Sequence, residues 1–127
     1  MSQPAYRVES VSAALRCELE EEDIVSALAE RDYRIFEVEQ PHGAFVPYHA
    51  HEEKETIVIL DGEMNFNVEE ELVLLGKGEM ITIRAEAVHA AASVGGRTAK
   101  LLIAFGGGKR PARETDAEGG EDDSRGL

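Results

Sequence analysis

Gly43-Ala44-Phe45-Val46-Pro47-Tyr48-His49-Ala50-His51-Glu52-Glu53-Lys54-Glu55-Thr56-Ile57-Val58-Ile59-Leu60-Asp61-Gly62 is the stretch whose reading decides the fold. Side chains at i and i+2 on a strand point to one face, so His49 and His51 project together. Glu55 keeps the same odd parity, and so do Ile57 and Ile59. An extended run through this stretch brings two imidazoles and a carboxylate into the space that Ile57 and Ile59 help to fill. A plain core disfavours that set, because buried polar groups need partners. A divalent metal suits it, taking neutral imidazoles and a carboxylate as ligands.

Further along, Gly78-Glu79 opens a strand over residues 80–83, and His89 follows after Arg84-Ala85-Glu86-Ala87-Val88. The chain has 4 histidines, and His49, His51 and His89 all fall within these two stretches. The fourth, His42, stands in a Pro-His-Gly turn and reads as a surface residue. The first stretch resembles the first cupin motif at every position: Gly43, five residues, His49-x-His51, three residues, Glu55, six residues, Gly62. The second is similar to the second cupin motif, with Gly78 and His89 at matching spacing. It departs at three places: Arg84 stands where proline is usual, Glu86 where glycine is usual, and Ser93 where asparagine is usual.

The resemblance covers residues 43–93 and implies an all-β fold, a small cupin-type jelly-roll β-barrel. It also implies one divalent transition metal per chain, held by His49, His51, Glu55 and His89. Mixed nitrogen and oxygen ligands suit Fe, Mn, Ni, Co or Zn, and do not choose among them. A homodimer is implied as well, since cupin barrels commonly pair through sheet faces or swapped N-terminal strands.

The rest of the chain fits one barrel with appendages. Residues 1–33 read as an N-terminal arm. Acidic Glu20 to Asp23 precede an Ile24/Leu28 apolar pair, and Arg31 follows, the charge order that suits a short helix. Residues 8–19 before it read as a possible strand. From Arg34 the period becomes two: short strands recur to residue 106, with Asp61-Gly62 as a tight hairpin turn and Glu69-Glu70-Glu71 reversing the chain. Residues 107–127 are rich in Gly, Glu and Asp with almost no apolar side chain, the composition of a disordered acidic tail.

Composition excludes some partners. The net charge of −13 repels phosphate backbones and anionic lipid, so neither nucleic acid nor a membrane surface is expected. No apolar run reaches the ~18 residues of a membrane span. The first residues lack an apolar signal core, and the single Cys17 forms no internal disulfide, consistent with a cytoplasmic location.

Three readings of function remain open on the sequence. The leading one is a metal-dependent, dioxygenase-like enzyme acting on a small oxygen-rich or carboxylate-bearing molecule. The second is an isomerase, epimerase or lyase acting on a sugar-like substrate, with the metal as Lewis acid. The third is a non-catalytic barrel that binds a small ligand, or one whose metal only stabilises it. Phe45, Ile57 and Phe66 are candidate inward positions near the ligand, and Arg84 is a candidate clamp for a carboxylate. No catalytic group beyond the metal ligands is defined, although Glu52 or Glu53 at the rim could accept a proton.

Overall fold

The computed structural model describes residues 4–107; residues 108–127 of the expected acidic tail lie outside the described residues. The chain opens with β1 (Tyr6–Ser10) and turns directly into α1 (Val11–Leu15). The extended run expected over residues 8–19 therefore stops at Ser10. The cause is local: the Ser10 hydroxyl accepts from the Ala13 N–H at 3.1 Å, a helix N-cap, and Val11 and Leu15 bury one face. Next comes α2 (Glu21–Glu30), with Glu21, Glu22 and Asp23 in its first turn and Ile24 and Leu28 buried. Arg31 then donates to the Ala27 carbonyl at 2.8 Å, satisfying one of the last carbonyls of the helix.

Eight further strands follow: β2 (Tyr33–Gln40), β3 (Phe45–His49), β4 (Glu55–Asp61), β5 (Glu63–Val68), β6 (Glu71–Gly76), β7 (Glu79–Ile83), β8 (His89–Val94) and β9 (Ala99–Gly106). They form two antiparallel sheets, one of five strands in the order β1-β7-β4-β9-β2 and one of four in the order β3-β8-β5-β6. The fold is a jelly-roll barrel. β1 pairs with β7 of its own chain, from Tyr6 opposite Ile83 to Ser10 opposite Glu79, so the arm is built into the barrel.

Alternation along the strands fills the space between the sheets. Ile57, Ile59, Met64, Phe66, Val68, Ile81, Ile83, Leu101 and Ile103 are buried there. The opposite faces of β4, β7 and β9 present Val58, Met80, Leu102 and Ala104 to Val11, Leu15, Ile24, Ala27 and Leu28. The two helices thus cover the outer face of the five-stranded sheet. Among the described residues, no helix is long and apolar enough to cross a membrane.

One turn differs from its sequence reading. Asp61-Gly62 is not a hairpin: β4 pairs with β7 and β9, whereas β5 pairs with β6 and β8. Gly62 turns the chain from one sheet to the other at φ +82, where a Cβ would stand 2.7 Å from the Ala99 Cα. The two-residue hairpin is Glu69-Glu70, between β5 and β6, with φ of 47° and 76°. Positive φ at both positions is the type I′ requirement. The Asn67 side-chain oxygen supports it by accepting from the Glu70 N–H at 3.1 Å.

Candidate metal centre

His49, His51, Glu55 and His89 converge, each offering a ligand atom, with all of these atoms within 4.8 Å of one another. Both sheets contribute. His49 ends β3 and His89 begins β8, directly opposite each other on the four-stranded sheet, with ring centroids 4.3 Å apart. Glu55 begins β4 on the facing sheet, between Ile83 of β7 and Phe105 of β9. His51 lies in the connection between them. The extended run is therefore broken after His49, and the parity argument holds within β4 but not across residues 50–54. The residues meet because the connection returns the chain across the barrel.

Backbone contacts orient the rings. His49 Nδ1 lies 2.8 Å from the Pro47 carbonyl, and His89 Nδ1 lies 2.9 Å from that of Ala87. A carbonyl only accepts, so both Nδ1 atoms carry protons and Nε2 is the atom left for the cluster. His51 is fixed through its backbone, its carbonyl accepting from the Glu86 N–H at 2.8 Å. The Phe105 ring lies edge-on against the His51 ring at 5.2 Å.

Glu55 Oε1 stands 3.0 Å from His89 Nε2 and 3.4 Å from His51 Nε2. Glu55 and His89 are 4% and 3% exposed, so their charges are poorly solvated. Burial lowers the His89 pKa, but the hydrogen bonds to Glu55 and to the Ala87 carbonyl, with the Glu55 charge, outweigh it and hold the pKa above its ordinary value. A positive charge between Glu55 and His89 is thus favoured, and a proton or a metal ion can supply it. The donor set, three imidazoles and one carboxylate, fits a divalent transition metal.

The departures in the second motif have local accounts. The Arg84 N–H donates to the Ala5 carbonyl at 2.8 Å, a bond proline lacks. Glu86 adopts φ +68, the left-handed backbone for which glycine is suited. Ser93 is buried in place of asparagine, and its backbone exchanges bonds with Gly43 and Ala44 at 3.1 and 2.9 Å.

The other candidate residues are placed as follows. Ile57 and Phe66 are buried between the sheets. Phe45 is not inward: it is 61% exposed, opposite Ala92, and Val46 faces inward instead. A register shift between Val46 and His49 puts Phe45 and His49 on opposite faces despite their shared parity. Arg84 pairs with Glu69 at 3.2 Å. His42 is exposed and outside the cluster.

Three residues near the centre had no sequence signal. Arg34 on β2 makes a bidentate contact with Glu53 at 3.1 and 2.7 Å, and its guanidinium lies 5.7 Å from the centroid of the Phe105 ring that touches His51. Phe36, half-exposed on the same strand, meets Phe105 edge-on at 6.1 Å. Arg34 and Phe36 sit opposite Phe105 and Ile103, so they face inward at the edge of their sheet. A separate cavity of about 320 Å³, lined by Gly62, Glu63, Gly76, Lys77, Gly95 and Arg97, lies at the other end of β5 and β8 from the histidines.

A cupin domain model matches residues 36–105. None of the curated proteins matches the chain. Solved structures share the fold. An RmlC-like cupin from Shewanella frigidimarina is 20% identical with TM-score 0.53, covering 57% of this chain and 64% of that one. The Cnp3 cupin domain of Schizosaccharomyces pombe is 17% identical with TM-score 0.56, covering 59% and 56%. The DMSP lyase DddQ of Ruegeria pomeroyi is 27% identical with TM-score 0.54, covering 63% and 41%. In each case the match spans less than two thirds of the other protein.

Proposed function

The chain belongs to the cupin family, and on that footing we propose that it is a metal-dependent enzyme acting on a small oxygen-rich or carboxylate-bearing molecule. Its cofactor is one divalent ion of Fe, Mn, Ni, Co or Zn per chain, held by His49, His51, Glu55 and His89. The observation that carries this reading is the convergence of those four donors from both sheets. When bound, the ion supplies Lewis acidity and, where it is redox-active, access to dioxygen chemistry.

The chain's own residues do the rest. The Pro47 and Ala87 carbonyls hold His49 and His89 with Nε2 toward the cluster. Glu55 balances the charge of the site. Ile57 and Phe66 form an apolar wall, and Phe36 stands at the mouth. Arg34 takes over the carboxylate-clamping role read from Arg84. Its pair with Glu53 is half-exposed, and such pairs contribute only about 0–1 kcal/mol, so an incoming carboxylate can compete for the guanidinium.

A dioxygenase-like reaction is the first reading, and a lyase the second. The likeness to DddQ, a DMSP lyase, favours the second. Metal-free protein loaded in parallel with Fe(II) or Zn(II) and offered a panel of small hydroxy and carboxylic acids separates them. Oxygen uptake that needs both Fe(II) and a substrate supports the oxygenase. Turnover with either ion in the absence of oxygen supports the lyase, or an isomerase or epimerase. Binding without turnover, or no response from the panel, contradicts the enzyme reading.

A further inference from the structure

The end of the barrel away from the histidines gathers three chain reversals of one kind. Each sets a charged residue beside a glycine: Gly62-Glu63 at the corner from β4 to β5, Gly76-Lys77 between β6 and β7, and Gly96-Arg97 between β8 and β9. Register brings the three together. Glu63 stands opposite Gly76 on one side and opposite Val94, the residue before Gly95, on the other. Between them lies the cavity of about 320 Å³ lined by Gly62, Glu63, Gly76, Lys77, Gly95 and Arg97. Its lining is glycine and charge, with no large apolar side chain. β8 runs 6 residues from His89 to Val94, which at about 3.4 Å each separates the cavity from the histidines by about 20 Å.

We propose that this cavity is a second binding site, independent of the metal centre, for a small zwitterion of the amino-acid class. Lys77 and Arg97 receive the ligand's carboxylate, and Glu63 receives its ammonium group. Three observations select that chemistry. First, the charges are uncommitted. The chain has 13 Lys and Arg against 26 Asp and Glu, so a cation easily finds a carboxylate. Yet among the described residues neither Lys77 nor Glu63 has an ion-pair partner, although they flank the same cavity. Second, the groups are held in place by their neighbours. Arg97 donates to Asp61 Oδ1 at 2.8 Å, and its guanidinium keeps N–H donors beyond that one for a carboxylate. The Glu63 carboxylate lies over Gly95 so closely that a Cβ there would stand 2.5 Å from Oε1. The Gly76 N–H is already donated to Glu79 Oε1 at 2.8 Å, so side chains and not this amide must hold the anion. Third, the net charge of −13 repels a simple anion, whereas a zwitterion has no net charge to be repelled. A polar cavity of this size, at the small end of ligand pockets, suits a small polar molecule.

The test is an amide NMR titration of the full-length, ¹⁵N-labelled protein with L-serine, beside acetate and methylammonium, which each carry one half of the charge pattern. L-Serine is expected to shift the amides of Glu63, Lys77, Gly95 and Arg97 with a dissociation constant of about 1–10 mM, the weak binding proper to exposed charges. Acetate and methylammonium are expected to bind about tenfold more weakly, since each loses one of the two charge contacts. Lys77→Gln/Arg97→Gln is expected to abolish the response to L-serine and to acetate. Glu63→Gln is expected to weaken L-serine and leave acetate as it was. All three side chains are exposed, so the variants should fold, and the spectra themselves report it. No shift at these amides, or shifts confined to the histidine end of the barrel, would overturn the proposal. Acetate binding as well as L-serine would overturn it too, reducing the cavity to a patch for simple anions.

Discussion

The two stretches that supply the ligands reach the same geometry by different routes. Residues 43–62 follow the family pattern at every position, and residues 78–93 depart from it at three. Yet His49 and His89 face each other across neighbouring strands, and each has its ring fixed by a carbonyl two residues earlier in the chain. The pattern therefore describes backbone requirements, and a side chain can stand in wherever the backbone requirement is still met. Glu86 takes the left-handed φ without being glycine. Arg84 replaces a proline and uses the N–H it gains to tie the N-terminal arm to the barrel. Gly62 has no such freedom, because the backbone of Ala99 fills the space where its side chain would go.

The contrast is sharpest at Gly62. Gly62→Ala combines left-handed strain of about 1–2 kcal/mol with a steric clash of about 1–3 kcal/mol. Denaturant unfolding should show a loss of about 3 kcal/mol; a loss below 1 kcal/mol would mean the corner can shift. Arg84→Pro tests the second stretch from the other side. Removing the N–H that bonds Ala5 should destabilise by about 1–2 kcal/mol, although it restores the family residue. Glu86→Gly should do the reverse and stabilise by up to about 1 kcal/mol, offset in part by the added freedom of the unfolded chain. If Gly62→Ala and Glu86→Gly changed stability in the same direction, the account of both stretches would fail.

The smallest effect is the pH dependence of the metal-free protein. The His89 pKa is raised in the folded state, so the stabilisation from its contact with Glu55 is fully present below the unfolded value of about 6.5. It fades as pH rises through the higher folded value. Thermal melts of chelated protein should therefore show a decline across that window, and His89→Gln should remove it. Zinc affinity should run the opposite way and strengthen with pH, because His89 must lose a proton to bind the ion.

Much of this was legible in the sequence. The sequence reading placed Ile57, Ile59 and Phe66 in the interior, and the His49, His51, Glu55 and His89 spacing picked out the residues that converge. What escaped depends on partners far along the chain. Period-two parity put Phe45 inside because a register shift leaves no mark in composition. Asp61-Gly62 carries a hairpin signal, and only the pairing of β4 and β5 with other strands shows it to be a corner. Arg34 meets Glu53 across 19 positions and Phe105 from a neighbouring strand, so no local spacing marks it. The Ser10 cap was local and readable, and it ends β1 where a longer strand was expected.

The central claim is that the four converging side chains hold a metal. Elemental analysis of protein purified without a metal-affinity tag, beside His49→Ala/His51→Ala, tests it most directly. The account predicts close to one equivalent of a divalent transition metal per chain in the wild type and almost none in the variant. A wild type free of metal that also fails to take up added Fe(II), Mn(II), Ni(II), Co(II) or Zn(II) would contradict it.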